Sequence, residues 1–349
     1  MNRLFPVLFL ALAGVLSAQE LRPVIDQLSP AEVKTTWEKL NNLITTSGGI
    51  DAAELERARL QGVLQKLGKN ARLARKKSGE IAVGVNFKEE MLPRSILYAR
   101  LGDLAAGNVS QLADALRRQS KAHAVILDLR ATKGSDEYDQ AANLLALFTG
   151  GGKTLFTLVS GGSNSGKNFV GQGDILFNGI IVVLINEDTE GPAEVVAAVL
   201  RQQARGLIVG KKTIGQALQF TALPINERVS IEIAVGRVVL PGMPAEFLQN
   251  GISPDLAVAA NIEDERNILT RSEKEGISPF IFEIERPHMN EASLVAGRNP
   301  ELDSYQARKA AKEEGASAEP GPLLDRTLQR ALDTATSLLV LREQPKVEK

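Results

Sequence analysis

Two runs of Ile, Val and Leu, within residues 122–129 (AHAVILDL) and 179–186 (GIIVVLIN), constrain this chain more than any other feature of it. A strand with one wet face alternates apolar and polar side chains. A strand buried on both faces carries apolar residues throughout. Both runs, and the shorter 206–210, therefore read as interior strands of a sheet covered on two sides. Helical patterns separate them at 138–148 and at 192–203, the second opened by Pro192. Strand, helix, strand, helix, strand is the pattern of βα units in a mainly parallel sheet. In such sheets chemistry gathers at the carboxyl ends of the strands. Two junctions fall there, residues 128–134 (DLRATKG) and 186–192 (NEDTEGP).

The flanking sequence is read more coarsely. Residues 82–86 and 95–100 are expected as short strands and 109–119 as an amphipathic helix bearing Leu112, Ala115 and Leu116. Residues 154–159 read as a strand, 161–173 as a Gly-, Ser- and Asn-rich loop, and 219–224 with 229–235 as an extended, antiparallel margin. Ser29-Pro30-Ala31-Glu32 is a helix start, and Asp51 with Glu54 repeats that signal before a helix closed by Gly68. Residues 72–80 read as a charged linker, with Arg72, Arg75, Lys76 and Lys77 as a solvated basic run. Residues 323–341 regain helical periodicity through Leu324, Leu328, Leu332, Leu338 and Leu339.

The start has the form of a secretory signal: Arg3, an apolar run over residues 4–16, then Ser17-Ala18. The expected plan is a signal peptide at 1–18, an N-terminal helical region at 19–80, a core at 81–259 and a C-terminal extension at 260–349, partly disordered with a terminal helix. That places the protein outside the cytoplasm, in the periplasm or extracellular space. The alternative is an uncleaved N-terminal membrane anchor; no transmembrane span is expected in the mature chain.

Composition removes several function classes. The chain has no cysteine, so disulfides, thiolate nucleophiles and Cys-based zinc sites are out. Its two histidines, His123 and His288, stand far apart without neighbouring ligands, and no metal or other cofactor is expected. A formal net charge of -1 gives no footprint for nucleic acid. Lys211 and Lys212 after Gly210 do not make a phosphate loop, because the Walker spacing is missing.

Five ordered segments then carry a resemblance. They are residues 51–67 (DAAELERARLQGVLQKL), 125–134 (VILDLRATKG), 181–200 (IVVLINEDTEGPAEVVAAVL), 209–219 (VGKKTIGQALQ) and 250–258 (NGISPDLAV). Together they resemble the C-terminal processing, or tail-specific, serine peptidases. The resemblance implies an α/β fold: a ClpP/crotonase-like mainly parallel sheet with flanking helices, an N-terminal helical segment and a helical C-terminal appendage. It also implies a serine nucleophile and a lysine general base. At the matching positions this chain has Gly191 and Gln216. Glycine has no side chain to attack a carbonyl, and an amide does not take a proton from a hydroxyl at neutral pH. Pro192, lacking an N–H, alters the same turn. The family's substrate-capturing PDZ domain has no room between Leu67 and residue 82.

The residual cleft by this resemblance comprises Gly134, Ser135 and Gly191, with backbone N–H groups as oxyanion donors. The expectation is a non-catalytic homologue that binds polypeptide, an unfolded or C-terminal segment, or serves as a scaffold in the cell envelope, possibly as a homo-oligomer. The alternative is a diverged serine-type peptidase with a relocated nucleophile, Ser135 or Thr189, and Lys133, Lys211 or Lys212 as base. A third reading gives Glu187, Asp188 or Glu190 a lyase-like role. Asp128 and Arg130 are expected to be structural, Arg130 pairing with a carboxylate for which Glu194 is the candidate.

Overall fold

Odd and even positions of the interior strands bury against different layers, as two-sided burial requires. The computed structural model describes residues 26–47, 51–75, 86–130, 132, 137–161, 166–281 and 323–343. Expectations for the leader, for all but the last residue of a strand at 82–86, and for Lys133, Gly134 and Ser135 lie outside these residues.

The first unit, Met1–Gly68, contains helices α1 (Pro30–Ser47) and α2 (Ala52–Leu67). The helix-start signal at Ser29 is a capping box: the Glu32 amide donates to Ser29 Oγ, and the Ser29 amide to Glu32 Oε2 at 2.8 Å. Gly68 ends α2 at φ +53°.

The second unit, Lys69–Lys349, is built on two sheets. Its strands are β1 (Ala71–Arg75), β2 (Lys88–Leu92), β3 (Ile96–Arg100), β4 (Ala124–Asp128), β5 (Thr154–Ser160), β6 (Gly166–Val170), β7 (Ile180–Ile185), β8 (Leu207–Gly210), β9 (Leu218–Pro224), β10 (Val229–Val239) and β11 (Leu256–Ala257). The larger sheet has the order β11-β8-β7-β4-β3-β2, parallel except for β2. The other is antiparallel: β10 pairs with β9 on one side and with β1 and β5 on the other, and β5 pairs with β6. The expected loop at 161–173 therefore contains strand β6. The supposed linker at 72–80 begins as strand β1.

On one face of the parallel sheet, Leu97, Ala99, Val125, Leu127, Val183 and Ile185 pack under α3 (Ala106–Arg118), α4 (Tyr138–Thr149) and α5 (Pro192–Gln203). On the other, Tyr98, Ile126, Val182 and Leu184 meet α7 (Arg326–Glu343). Its buried stripe is Leu328, Ala331, Ala335 and Leu339, spaced for one helical face. The C-terminal helix, expected as part of an appendage, is the sheet's second covering layer. Two small alanines let it lie close to the β-branched surface. Burying each Leu here contributes roughly 1.5–3 kcal/mol.

Helix α6 (Ile262–Glu275) is capped by Asn261, whose side chain accepts from the Glu263 amide. It brings Glu265 beneath the carboxyl ends of the parallel strands, with consequences for Arg130.

Candidate functional site

The carboxyl ends of β4 and β7 are locked by a buried ionic cluster. Arg130 is fully buried and forks onto three carboxylates: Asp128 (Nη2 to Oδ2, 2.7 Å), Asp325 (2.8 and 2.7 Å) and Glu265 (3.2 Å). These charges hold the guanidinium pKa well above its ordinary range against the opposing effect of burial. Asp128 stays below the usual carboxylate range, because Arg130 and the Tyr98 hydroxyl (2.7 Å) outweigh its desolvation. The expected Arg130–Glu194 pair is not formed. Arg130 turns instead toward α6 and α7, whose carboxylates arrive from late in the chain. Asp325 also caps α7, accepting from the Leu328 amide at 2.9 Å.

Thr189 lies beside this cluster and is fully buried. Its hydroxyl donates to the Leu129 carbonyl at 3.0 Å and accepts the Asn186 amide at 3.1 Å. Lys211 instead reaches Glu187, at 3.6 Å. Thr189 is thus a turn-closing residue engaged with backbone, and Lys211, one of the two amines offered for it, points elsewhere. Asp188 is held by Arg266 through two contacts of 2.7 Å.

The turn that follows keeps a sharp strand-to-helix geometry, with Gly191 at φ +61°, ψ -127°. A side chain there would be strained, so glycine relieves strain while removing the hydroxyl. The Gly191 N–H, expected as a free oxyanion donor, is committed: it donates to Glu194 Oε2 at 3.3 Å. The same oxygen accepts the amide of Gln216 at 2.6 Å. Glu194 Oε1 accepts the Gly215 amide at 2.7 Å and the Thr213 hydroxyl. One buried carboxylate therefore joins the Gly191 turn to the loop that carries Gln216. Burial pushes the Glu194 pKa up to about 7, and its hydroxyl and amide donors limit the rise.

The Gln216 side chain faces a residue that no sequence pattern singles out. Arg72, on β1, donates from Nη1 to Gln216 Oε1 at 3.1 Å and from Nε to Glu232 Oε2 at 2.7 Å. The same guanidinium lies 3.6 Å from Glu190 Oε2 and stacks over the Phe220 ring at 4.3 Å from its centroid. Arg72 and Glu232 are direct cross-strand partners in the β1–β10 ladder. Nothing local in residues 71–75 announces this. Its partners lie more than a hundred residues away, so only the folded sheet identifies them.

Residues 95–258 match the model of peptidase family S41. A carboxyl-terminal-processing protease of Synechocystis sp. is 26% identical over 167 residues, 47% of this chain and 38% of that protein. The carboxy-terminal processing protease CtpA of Bacillus subtilis is 24% identical over 184 residues, 49% of this chain and 39% of that protein. Among solved structures, that of a candidate peptidase from Parabacteroides merdae aligns with a TM-score of 0.50 at 14% identity, over 67% of this chain and 84% of that one. The central segment is a peptidase family S41 domain, homologous to carboxyl-terminal processing proteases. The chain spans about two fifths of the length of those two curated relatives.

Proposed function

We propose that this protein is a non-catalytic homologue of the tail-specific serine peptidases, which binds extended polypeptide or acts as a scaffold in the cell envelope. One observation carries the reading. The two positions that match the Ser–Lys dyad are Gly191 and Gln216, and both are tied into structural contacts, through Glu194 and Arg72. Acyl transfer needs a hydroxyl activated by a positioned base, and neither position supplies one. The relatives named above are processing proteases, which supports polypeptide as the ligand class. An exported location rests on the leader-like residues 1–18. Among the described residues no helix is long and apolar enough to cross a membrane.

The test is to incubate the purified protein with an unfolded substrate ending in an apolar carboxyl-terminal segment, and to follow intact mass over hours. The expected result is uncut substrate retained on the protein. Specific cleavage that disappears in a Ser135→Ala, Thr189→Ala double variant would establish a relocated nucleophile and overturn the reading.

A further inference from the structure

The surroundings of Arg72 have the make-up of a guanidinium-binding pocket. Two carboxylates (Glu190 and Glu232), one amide oxygen (Gln216) and one aromatic face (Phe220) converge on a single planar cation. A fork of N–H donors with an exposed π-surface is what such a set accommodates, and a compact ammonium would use it less fully. The pocket holds a side chain from the chain itself. The strand that delivers it is weakly held: none of its described side chains is buried, and Leu73 is 62% exposed. Among the described residues its attachment includes the five-residue ladder to β10, the contacts of Arg72, and Lys69 Nζ on the Gln249 carbonyl. Segments with little buried apolar surface open at low free energy. Opening β1 would release two features together, the Arg72 pocket and the β10 backbone edge over residues 229–233. The opposite edge of β10 there remains paired with β9.

We infer that β1 is a built-in stand-in for an extended polypeptide partner, and that Arg72 fills a pocket which an arginine of that partner takes when β1 is displaced. The partner adds as an antiparallel strand to β10, with its arginine opposite Glu232. Main-chain hydrogen bonds then supply affinity and the pocket supplies specificity. This rests on the polypeptide-binding reading above and specifies what that site selects. It also makes binding self-limiting, because the partner competes with a segment present at high effective concentration.

The test uses the full chain and two peptides, one copying residues 69–75 (KNARLAR) and one with alanine at its first arginine (KNAALAR). Against the Arg72→Ala protein, the first peptide is expected to bind at least about tenfold tighter than the second. It should also bind this variant more tightly than it binds the unchanged protein. Equal affinity for the two peptides, or binding of neither, overturns the inference. A second measurement needs no variant. Hydrogen exchange in the unchanged protein should release the β1 amides well before those of β4, and equal protection of the two strands overturns displacement. The intact mass of the peptides separates the two claims. A cut peptide defeats the non-catalytic reading and leaves the pocket standing, whereas an uncut and unbound peptide defeats the pocket alone.

Discussion

Two arginines in this molecule are clamped by carboxylates, most of them from remote parts of the chain, in opposite environments. Arg130 is fully buried and reaches Asp128, Glu265 and Asp325, which come from a strand end and from the entries to two helices. Arg72 is 29% exposed and reaches Glu190, Glu232 and Gln216 at the margin of the antiparallel sheet. Similar chemistry therefore does different work. In a dry interior water cannot replace a lost partner, and loss of one leaves buried hydrogen-bond donors unsatisfied. At a half-exposed margin water substitutes for a lost partner, so the pairing is exchangeable. The first cluster fixes the fold, and the second is placed where a contact can be made and broken.

The sharpest way to break this contrast is Asp325→Ala. It removes two hydrogen bonds from the buried Arg130 guanidinium and the cap from α7, and should cost about 3–5 kcal/mol. Urea unfolding would measure it, and a loss within ordinary surface scatter would mean that the buried cluster is less demanding than argued.

The next effect comes from Glu194, which lies between the two regions in character. Its folded pKa, about 7, is raised above the ordinary 4.5. Its contribution to stability is therefore fully present below about pH 4.5 and is lost as pH rises through 7. The full amplitude is up to about 3 kcal/mol. Asp128, whose pKa is lowered, acts in the opposite sense, and its contribution is lost at acid pH below this window. A Glu194→Gln protein should show a flattened slope between pH 4.5 and 7, and an unchanged slope would remove Glu194 as its source.

Gly191→Ser places a side chain at φ +61°, ψ -127° and should destabilise by about 1–3 kcal/mol. Thermal denaturation reads this directly, and no loss would show that the turn relaxes. The added hydroxyl is not expected to bring cleavage, because Gln216 supplies no base.

Arg72→Ala should have the smallest effect, about 0–1 kcal/mol, and the difference should shrink as salt is added. A loss as large as that from Asp325→Ala would erase the distinction between the two arginines.

Much of the frame was legible beforehand. The unbroken apolar strands announced two-sided burial, and Pro192 marked the start of α5. The glycine and glutamine at 191 and 216 were visible as residues. Their surroundings were not: Arg130 was expected on Glu194 and is held by Asp128, Glu265 and Asp325 instead. Strand β6 was hidden because its sequence, GKNFV, buries only Phe169 and carries no alternating pattern. Strand β1 was hidden for a related reason, since a basic run with an exposed leucine looks solvated.

By itself the sequence determined the parallel sheet, the helix starts and the identities of residues 191 and 216, because each follows from local periodicity, capping or residue identity. Only the tertiary structure decided that α7 is the sheet's second layer, that Glu194 joins the Gly191 turn to the Gln216 loop, and that Arg72 lies against both Glu190 and Gln216. Those are contacts between segments tens to hundreds of residues apart. Charge and size at one position say which partners would suit it, but the path of the chain selects the partner it meets.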